Sequence, residues 1–522
     1  MLFAEIAETS SRVAATRSRL AKRALLAGTI ASAGAAELPI VVSYLSGTLR
    51  QRRTNLGWAS LPHPPPADRT SLTVWEVDAA FEQIAGEGGD GSSGRRIVLA
   101  EGLLSRATAA EQHLLRGLIV GEVRQGALDS LVQDAVAAAF GTPAAVVRRG
   151  AMLLGSTASA AELLHRDGAD ALAAVTLQVG VPVRPMLAAS SPDVAGAVAK
   201  AGLPAVADAK LDGIRVQVHR GGDRTRVFTR SLDEITERVP GIVAAVSALS
   251  LSDAVLDGEA VALGPSGRPL PFQVTAARAA EHARSGPASV TATDTATDGQ
   301  AAQLQLFCFD ALRLDGTDLL DLPLAERVAA MQRHLPADLV VPRIHVTGED
   351  ELTRFFGDMV GHGFEGVVVK RLDAPYAAGR RDSGWIKLKP RHTFDLAVTA
   401  AEWGYGRRTG YLSNLHLAAR DAGTGALIML GKTFKGLTDQ MLAWQTAEIQ
   451  SREARRTRSA VYADPPLVAE IACDGLQRST RYPGGVALRF ARVVRYRTDK
   501  TVDEIDTLDT VRALAPEVDG EP

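Results

Sequence analysis

The segment from Ala207 to His219 constrains the fold more than any other part of the chain. A short apolar run ends in Lys210, Leu211-Asp212-Gly213 follows, and the residues from Arg215 to His219 alternate in polarity. This pattern predicts strand, tight turn, strand. A glycine in such a turn lets the backbone approach a ligand closely. A lysine beside it can place its amine in a cleft. To act as a nucleophile the amine must lose its proton, which a cationic neighbourhood promotes, and Arg215 is the first candidate neighbour. Alone the motif is weak, because a solvated lysine on a surface hairpin satisfies it equally well.

The 522 residues predict roughly two to four domains. The first third is rich in alanine and leucine at helical spacing. Leu114, Leu115, Leu118 and Ile119 form one apolar stripe, and Leu128, Leu131, Val132 and Val136 another. Thr108 with Glu111 predicts a capping box. The prolines from Pro62 to Pro66 mark a loop, and the glycine-rich run from Gly86 to Arg96 predicts a flexible surface loop. Ala24 to Leu45 is the most apolar segment, but Glu37 and Pro39 interrupt it. A buried helix followed by a second element is therefore expected rather than a membrane span. Met1-Leu2-Phe3-Ala4-Glu5 lacks the basic region of a secretory leader. Two distant cysteines, Cys308 and Cys473, exclude a disulfide framework and predict a reducing, cytoplasmic setting. The formal net charge of −2 confines any nucleic-acid contact to local patches.

A boundary is expected near Gly180 to Leu187. Strands are expected beyond it at Arg215–His219, Arg226–Thr229, Ala254–Leu256, Gln305–Phe309 and Gly366–Lys370, with a mobile insertion from Ser285 to Gln300. After Lys389-Pro390 short alternating strands predict a small barrel of the OB type, with Ser451 to Arg458 helical or looped. Gly431-Lys432-Thr433 lacks the first glycine of a phosphate loop and predicts a barrel strand and turn.

Further motifs follow Lys210 in a fixed order: Thr229-Arg230-Ser231, Leu256-Asp257-Gly258-Glu259, Phe307-Cys308-Phe309-Asp310, Glu365 to Lys370, Trp385-Ile386-Lys387-Leu388-Lys389, and Arg497-Thr498-Asp499-Lys500. The series resembles the covalent nucleotidyltransferase superfamily, and most closely the ATP-dependent DNA ligases of the archaeal and bacterial three-domain type. The resemblance covers nearly the whole chain. It includes Ser43 to Gly47 and Gly121 to Leu128, which are similar to that family's DNA-binding domain. It implies a multidomain α+β chain: a helical DNA-binding domain at 1–175, an adenylation domain of the nucleotidyltransferase fold at 176–390, and an OB-fold domain at 391–522. The absence of a four-cysteine zinc module separates it from the NAD-dependent ligases.

The resemblance also implies roles. Lys210 is the nucleophile toward ATP, and Arg215, Lys387 and Mg²⁺ lower its pKa. Asp208 touches the nucleotide, at a position where the family usually has glutamate. Arg230 meets ribose or phosphate oxygens, as a fixed five-donor guanidinium can. Glu259 serves ribose or metal and Glu365 serves metal, as hard carboxylates suit Mg²⁺. Phe309 stacks on adenine, with Phe307 the alternative of equal strand parity. Arg381 (or Arg380) and Lys387 meet the phosphates, with Lys389 the alternative on the same face. Arg497 and Lys500 swing over the site to orient pyrophosphate. The implied substrate is nicked double-stranded DNA, contacted by clusters at Arg50, Arg52 and Arg53, at Arg407-Arg408, and at Arg452, Arg455, Arg456 and Arg458. A cytoplasmic, nucleoid-associated monomer without membrane contact is the expected state. An RNA ligase or capping enzyme, or an inactive DNA-binding scaffold, are the rival readings.

Overall fold

The structure is a computed structural model that describes residues 1–126, 129–285, 304–377 and 384–514. Arg380, Arg381, Leu128 and the expected insertion beyond Ser285 lie outside the described residues.

Residues Phe3 to Ala173 build a helical bundle, from the helix Phe3–Ala15 to the helix Thr157–Ala173. Both apolar stripes face inward: Leu114, Leu115, Leu118, Ile119, Leu131, Val132 and Val136 are buried. Thr108 caps its helix as expected, its N–H donating to Glu111 Oε2 at 2.8 Å. Phe3, Tyr44 and Phe81 stack edge to face, with centroids 5.9 and 6.1 Å apart. Ala24 to Leu45 forms the ends of two helices, Arg19–Ser32 and Leu38–Leu45, and Glu37 between them receives the terminal ammonium at 2.6 Å. No helix among the described residues is long and apolar enough to cross a membrane.

One expected loop is shorter than predicted. The run from Gly86 to Arg96 is not a loop throughout, because a helix starts at Ser92 after Gly91 adopts φ 73°. Arg95 folds back onto Glu87 and the carbonyl of Asp90, at 2.6 and 2.9 Å. These contacts hold a turn that glycine content alone disfavours.

The middle of the chain folds as two five-stranded sheets. One runs Ala189–Ser191, Trp385–Leu388, Gly366–Arg371, Ala205–Lys210, Arg343–Val346. The other runs Arg224–Thr229, Ile214–Gly221, Asp253–Ala262, Leu304–Leu314, Thr317–Asp318. The strands flanking the Lys210 turn therefore form no hairpin. Ala205–Lys210 lies in the first sheet and Ile214–Gly221 in the second, so the turn carries the chain across the gap. Helices Val194–Ala201 and Glu349–Gly361 bury Ala197, Leu352 and Phe355 against the first sheet. Ile242, Val246 and Met331 from two other helices pack on the second. Cys308 and Cys473 are free and buried, so no disulfide forms.

The last part is a six-stranded antiparallel sheet in the order Leu427–Thr433, Leu412–Arg420, His392–Trp403, Ala460–Cys473, Glu453–Arg456, with Arg492–Tyr496 also on Ala460–Cys473. A separate ribbon pairs Gly475–Arg478 with Val486–Arg489. No continuous ladder closes the expected barrel among the described residues; the sheet bends at a register shift near Val398 and the helix Asp439–Ser451 packs on it. The charged segment Ser451 to Arg458, expected to be helical or looped, instead contains an edge strand, Glu453–Arg456. Exposed charges are what an unpaired edge tolerates. Gly431-Lys432-Thr433 is strand, with Lys432 paired to Glu402.

A fully buried ion pair joins the second sheet to its covering helix. Arg327 grips both oxygens of Asp310 at 2.8 and 2.9 Å and donates to the carbonyls of Leu322 and Ala374. Removing one partner strands a buried charge. Arg327→Met is expected to lower stability by about 3–5 kcal/mol, read as an earlier urea transition. A shift within error of wild type would contradict this role.

Candidate active site

A cleft of about 1120 Å³ opens between the two sheets. It is lined by Asp208, Lys210, Arg215, Arg230, Glu259, Phe309, Glu365 and Lys387, eight of the residues the motifs single out. Local geometry puts them there. Gly213 must be glycine, since a Cβ would lie 2.4 Å from the carbonyl oxygen of Ala260. Gly366, at φ 138°, leaves no room either, with the carbonyl oxygen of Leu388 at 2.2 Å from a built Cβ. The Glu365 N–H donates to the Lys210 carbonyl at 2.8 Å, which places both side chains at one strand end.

Lys210 Nζ lies 2.6 Å from Glu365 Oε2, and Lys389 occupies the other oxygen of the same carboxylate. Burial pushes the Lys210 amine down, but Glu365, Glu259 and Asp212 outweigh it and its pKa is raised. In this arrangement Lys210 is an ammonium. Lys387 has no ion pair among the described residues, and burial with Lys389 and Lys210 nearby lowers its pKa. Glu259 is half-buried, accepts from the Gly213 N–H at 3.2 Å, and desolvation pushes its carboxyl up to about 7.

Arg215 does not do what was expected of it. It binds Asp257 through two contacts, at 3.1 and 2.7 Å, and the Met186 carbonyl at 2.6 Å. Tyr376 donates to the same Asp257 at 2.7 Å. The Arg215 charge is directed to Asp257, and the largest influences on Lys210 are burial and the acids Glu365, Glu259 and Asp212. Arg215 also sits 5.3 Å from the Phe309 ring centre.

Asp208 is also committed. It is buried between Arg343, at 2.8 Å from Oδ2, and Lys370, at 2.6 Å. Lys370 and Arg343 both donate to the Phe309 carbonyl, at 3.1 and 2.8 Å. The free carboxylate expected to face a nucleotide is thus held by two cations. Phe309 lines the cleft and Phe307 does not. Phe309 meets Trp385 edge to face at 5.7 Å, and Lys370 Nζ stands 4.8 Å from its centre. Arg230 is on the exposed rim, beside a Thr229–Ser231 hydroxyl contact of 3.0 Å.

Lys500 and Arg497 are not in the cleft. Both pair with Asp395, at 2.6 and 2.7 Å, inside the C-terminal domain. That domain sends Arg489 and Phe490 into the cleft instead. Arg489 grips Asp212 at 2.5 and 3.3 Å, across 277 residues of sequence. Arg343, Tyr376 and Arg489 were missed as site residues. Only Arg489, within the stretch before Arg497, stood beside a recognised motif.

Three family models match the chain: a DNA ligase N terminus at 59–137, an ATP-dependent DNA ligase domain at 185–389, and an ATP-dependent DNA ligase C-terminal region at 408–500. A probable DNA ligase of a Nocardioides species is 53% identical over 98% of this chain and 99% of its own length. One from Beutenbergia cavernae is 55% identical over 99% of this chain and 100% of its own. The solved structure Pmar-Lig_PreS3 shares the fold, with a TM-score of 0.62 at 15% identity over 94% of this chain and 99% of that one. Helical domain, adenylation domain and OB-type domain thus define a nucleotidyltransferase that joins nucleic acid. The chain belongs to the ATP-dependent DNA ligase family, with ATP as substrate and DNA as the polymer joined.

The Glu259 shift has a stability signature. A carboxyl raised from 4.5 to about 7 contributes most below pH 4.5, and that contribution is lost as pH rises through 7. Glu259→Gln is expected to remove this loss, so the variant gains on the order of 3 kcal/mol on wild type between those limits. Denaturant midpoints across this pH range check it; parallel curves for the two proteins would contradict the shift.

Proposed function

We propose that this chain seals nicks in duplex DNA in three steps, with Lys210 as the nucleophile. The carrying observation is the convergence of Lys210, Glu259, Glu365 and Lys387 in one cleft beside the Phe309 ring. In the first step Lys210 Nζ, after losing a proton, attacks the ATP α-phosphorus; the bond to the β-phosphate breaks and pyrophosphate leaves. In the second an oxygen of the DNA 5′-phosphate attacks the AMP phosphorus, the P–N bond breaks, and Lys210 takes back a proton. In the third the 3′-hydroxyl attacks the 5′-phosphate, its proton is lost, and AMP leaves.

Positioning and charge neutralisation dominate such transfers. Phe309 stacks on adenine. Arg230 and Lys387 hold ribose and phosphate oxygens, and Arg381 joins them. Arg215 braces Phe309 and the Asp257 strand. Asp208 fixes Lys370 beneath the same ring. Arg497 and Lys500 reach the pyrophosphate only after leaving Asp395.

Among the described residues no group of three or more His, Cys, Asp or Glu could hold a metal ion. Glu259 and Glu365 still suit Mg²⁺, which takes one or two carboxylates and completes its shell with water and phosphate. Magnesium there would neutralise phosphate charge and compete with Lys210 for Glu365. The helical domain at 1–175 and the OB-fold domain at 391–522 would close around DNA on either side of the adenylation domain at 176–390. The enzyme would act as a monomer at the nucleoid.

Labelling with α-³²P-ATP tests the chemistry. Wild type is expected to acquire a covalent label that unlabelled ATP suppresses and GTP or NAD does not. Lys210→Ala is expected to lose it entirely. Label retained at wild-type level would put the nucleophile elsewhere, and suppression by GTP would favour the capping-type alternative.

A further inference from the structure

A second crevice lies between the helical domain and the adenylation domain. Arg52, Arg53 and Asn55 line one side, and Ser231 and Asp233 the other. Ser231 lines this crevice and the nucleotide cleft alike, so the two adjoin there. Arg52 Nη1 donates to the Leu232 carbonyl and to Asp233 Oδ1, each at 2.9 Å. Arg53 Nη2 approaches Asp233 Oδ2 at 3.4 Å. The nearby Arg50 is already committed to Asp78, at 2.7 Å.

The contact is costly to build and adds little to stability. Arg52 and Leu232 both hold left-handed backbone, at φ 62° and 67°. Bulky non-glycine residues adopt it only where the surroundings enforce it, and such strain gathers at functional sites. The arginine side chains remain 55% and 74% exposed, and ion pairs that open to water contribute little. The strained turns do present two oxygens at equal distance to one guanidinium nitrogen, with a further oxygen to a second arginine. A phosphate offers the same arrangement. Two cations on one acid also leave a positive charge facing the crevice.

We infer that Asp233 with the Leu232 carbonyl is an internal stand-in for a DNA backbone phosphate, held by Arg52 and Arg53 in the free protein and released when DNA enters the cleft. This rests on duplex DNA as the substrate. Arg52 and Arg53 then serve two states, joining the domains in the free protein and gripping the strand in the complex.

Anisotropy of a fluorescent nicked duplex, titrated at several salt concentrations, tests this as a two-background cycle. Asp233→Asn keeps the shape and one acceptor oxygen for Arg52 and removes the charge and the acceptor facing Arg53. It is expected to raise affinity about threefold or more in the wild-type background and not at all in Arg52→Ala/Arg53→Ala. The double-alanine protein should also lower the salt slope by about one to two, as loss of one or two phosphate contacts requires. An equal gain in both backgrounds would mean general charge repulsion and overturn the inference. No gain in the wild-type background would overturn it too. Asp233→Ser repeats the test if the Asn variant melts early. Failure of wild type to bind the duplex would instead refute the proposed function.

Discussion

One carboxylate between two ammonium groups governs the active site. Glu365 holds Lys210 at 2.6 Å on one oxygen and Lys389 on the other. The cleft is buried enough that no charge there is cheap, so each group's proton depends on its neighbours. Lys210 is raised by its acids, Lys387 is lowered by burial and its fellow lysines, and Glu259 is pushed up to about 7. A nucleophilic amine needs the opposite balance. On the proposed mechanism, Glu365 and Glu259 would hold a Mg²⁺ that accompanies the substrate phosphates, which would relieve their hold on Lys210.

The same arrangement recurs at the domain joints. Arg489 is on Asp212, Arg52 and Arg53 are on Asp233, and Arg149 is on Asp321, while within the C-terminal domain Arg497 and Lys500 are on Asp395. Each cation stands close to an acid of its own chain. Pairs as exposed as Arg149–Asp321 and Arg52–Asp233 are weak and screened by salt. On the proposed function, domains joined this way would part when phosphates offer better partners. Buried pairs such as Asp310–Arg327, by contrast, tie elements within one domain and cannot be exchanged so readily.

What could be read from the sequence follows this division. Lys210, Gly213, Glu259, Glu365 and Lys387 belong to contiguous motifs at strand ends, so local pattern revealed them. The helical stripes and the Thr108 cap were equally legible, because their period and spacing are local. Arg343 and Tyr376 were not, since their partners Asp208 and Asp257 lie more than a hundred residues away. The crossing of the Lys210 turn between sheets was hidden for a related reason: a hairpin and a crossover share the same alternation, and only the pairing of Ala205–Lys210 with Gly366–Arg371 separates them. The short helix start at Ser92 and the edge strand Glu453–Arg456 depended on tertiary contacts that overrode composition. The position of Lys500 depends on domain orientation, which no short motif encodes.

On the proposed mechanism, cations held by acids in the free protein are spent on phosphate at defined steps. Lys500 tests it most directly, because its proposed partner, pyrophosphate, exists only in the first step. Lys500→Ala should be assayed for self-adenylation and, separately, for sealing of a nick that already carries AMP. The account predicts loss of the first with most of the second retained. Equal loss in both assays would contradict it, and would assign Lys500 to folding through Asp395 or to binding DNA.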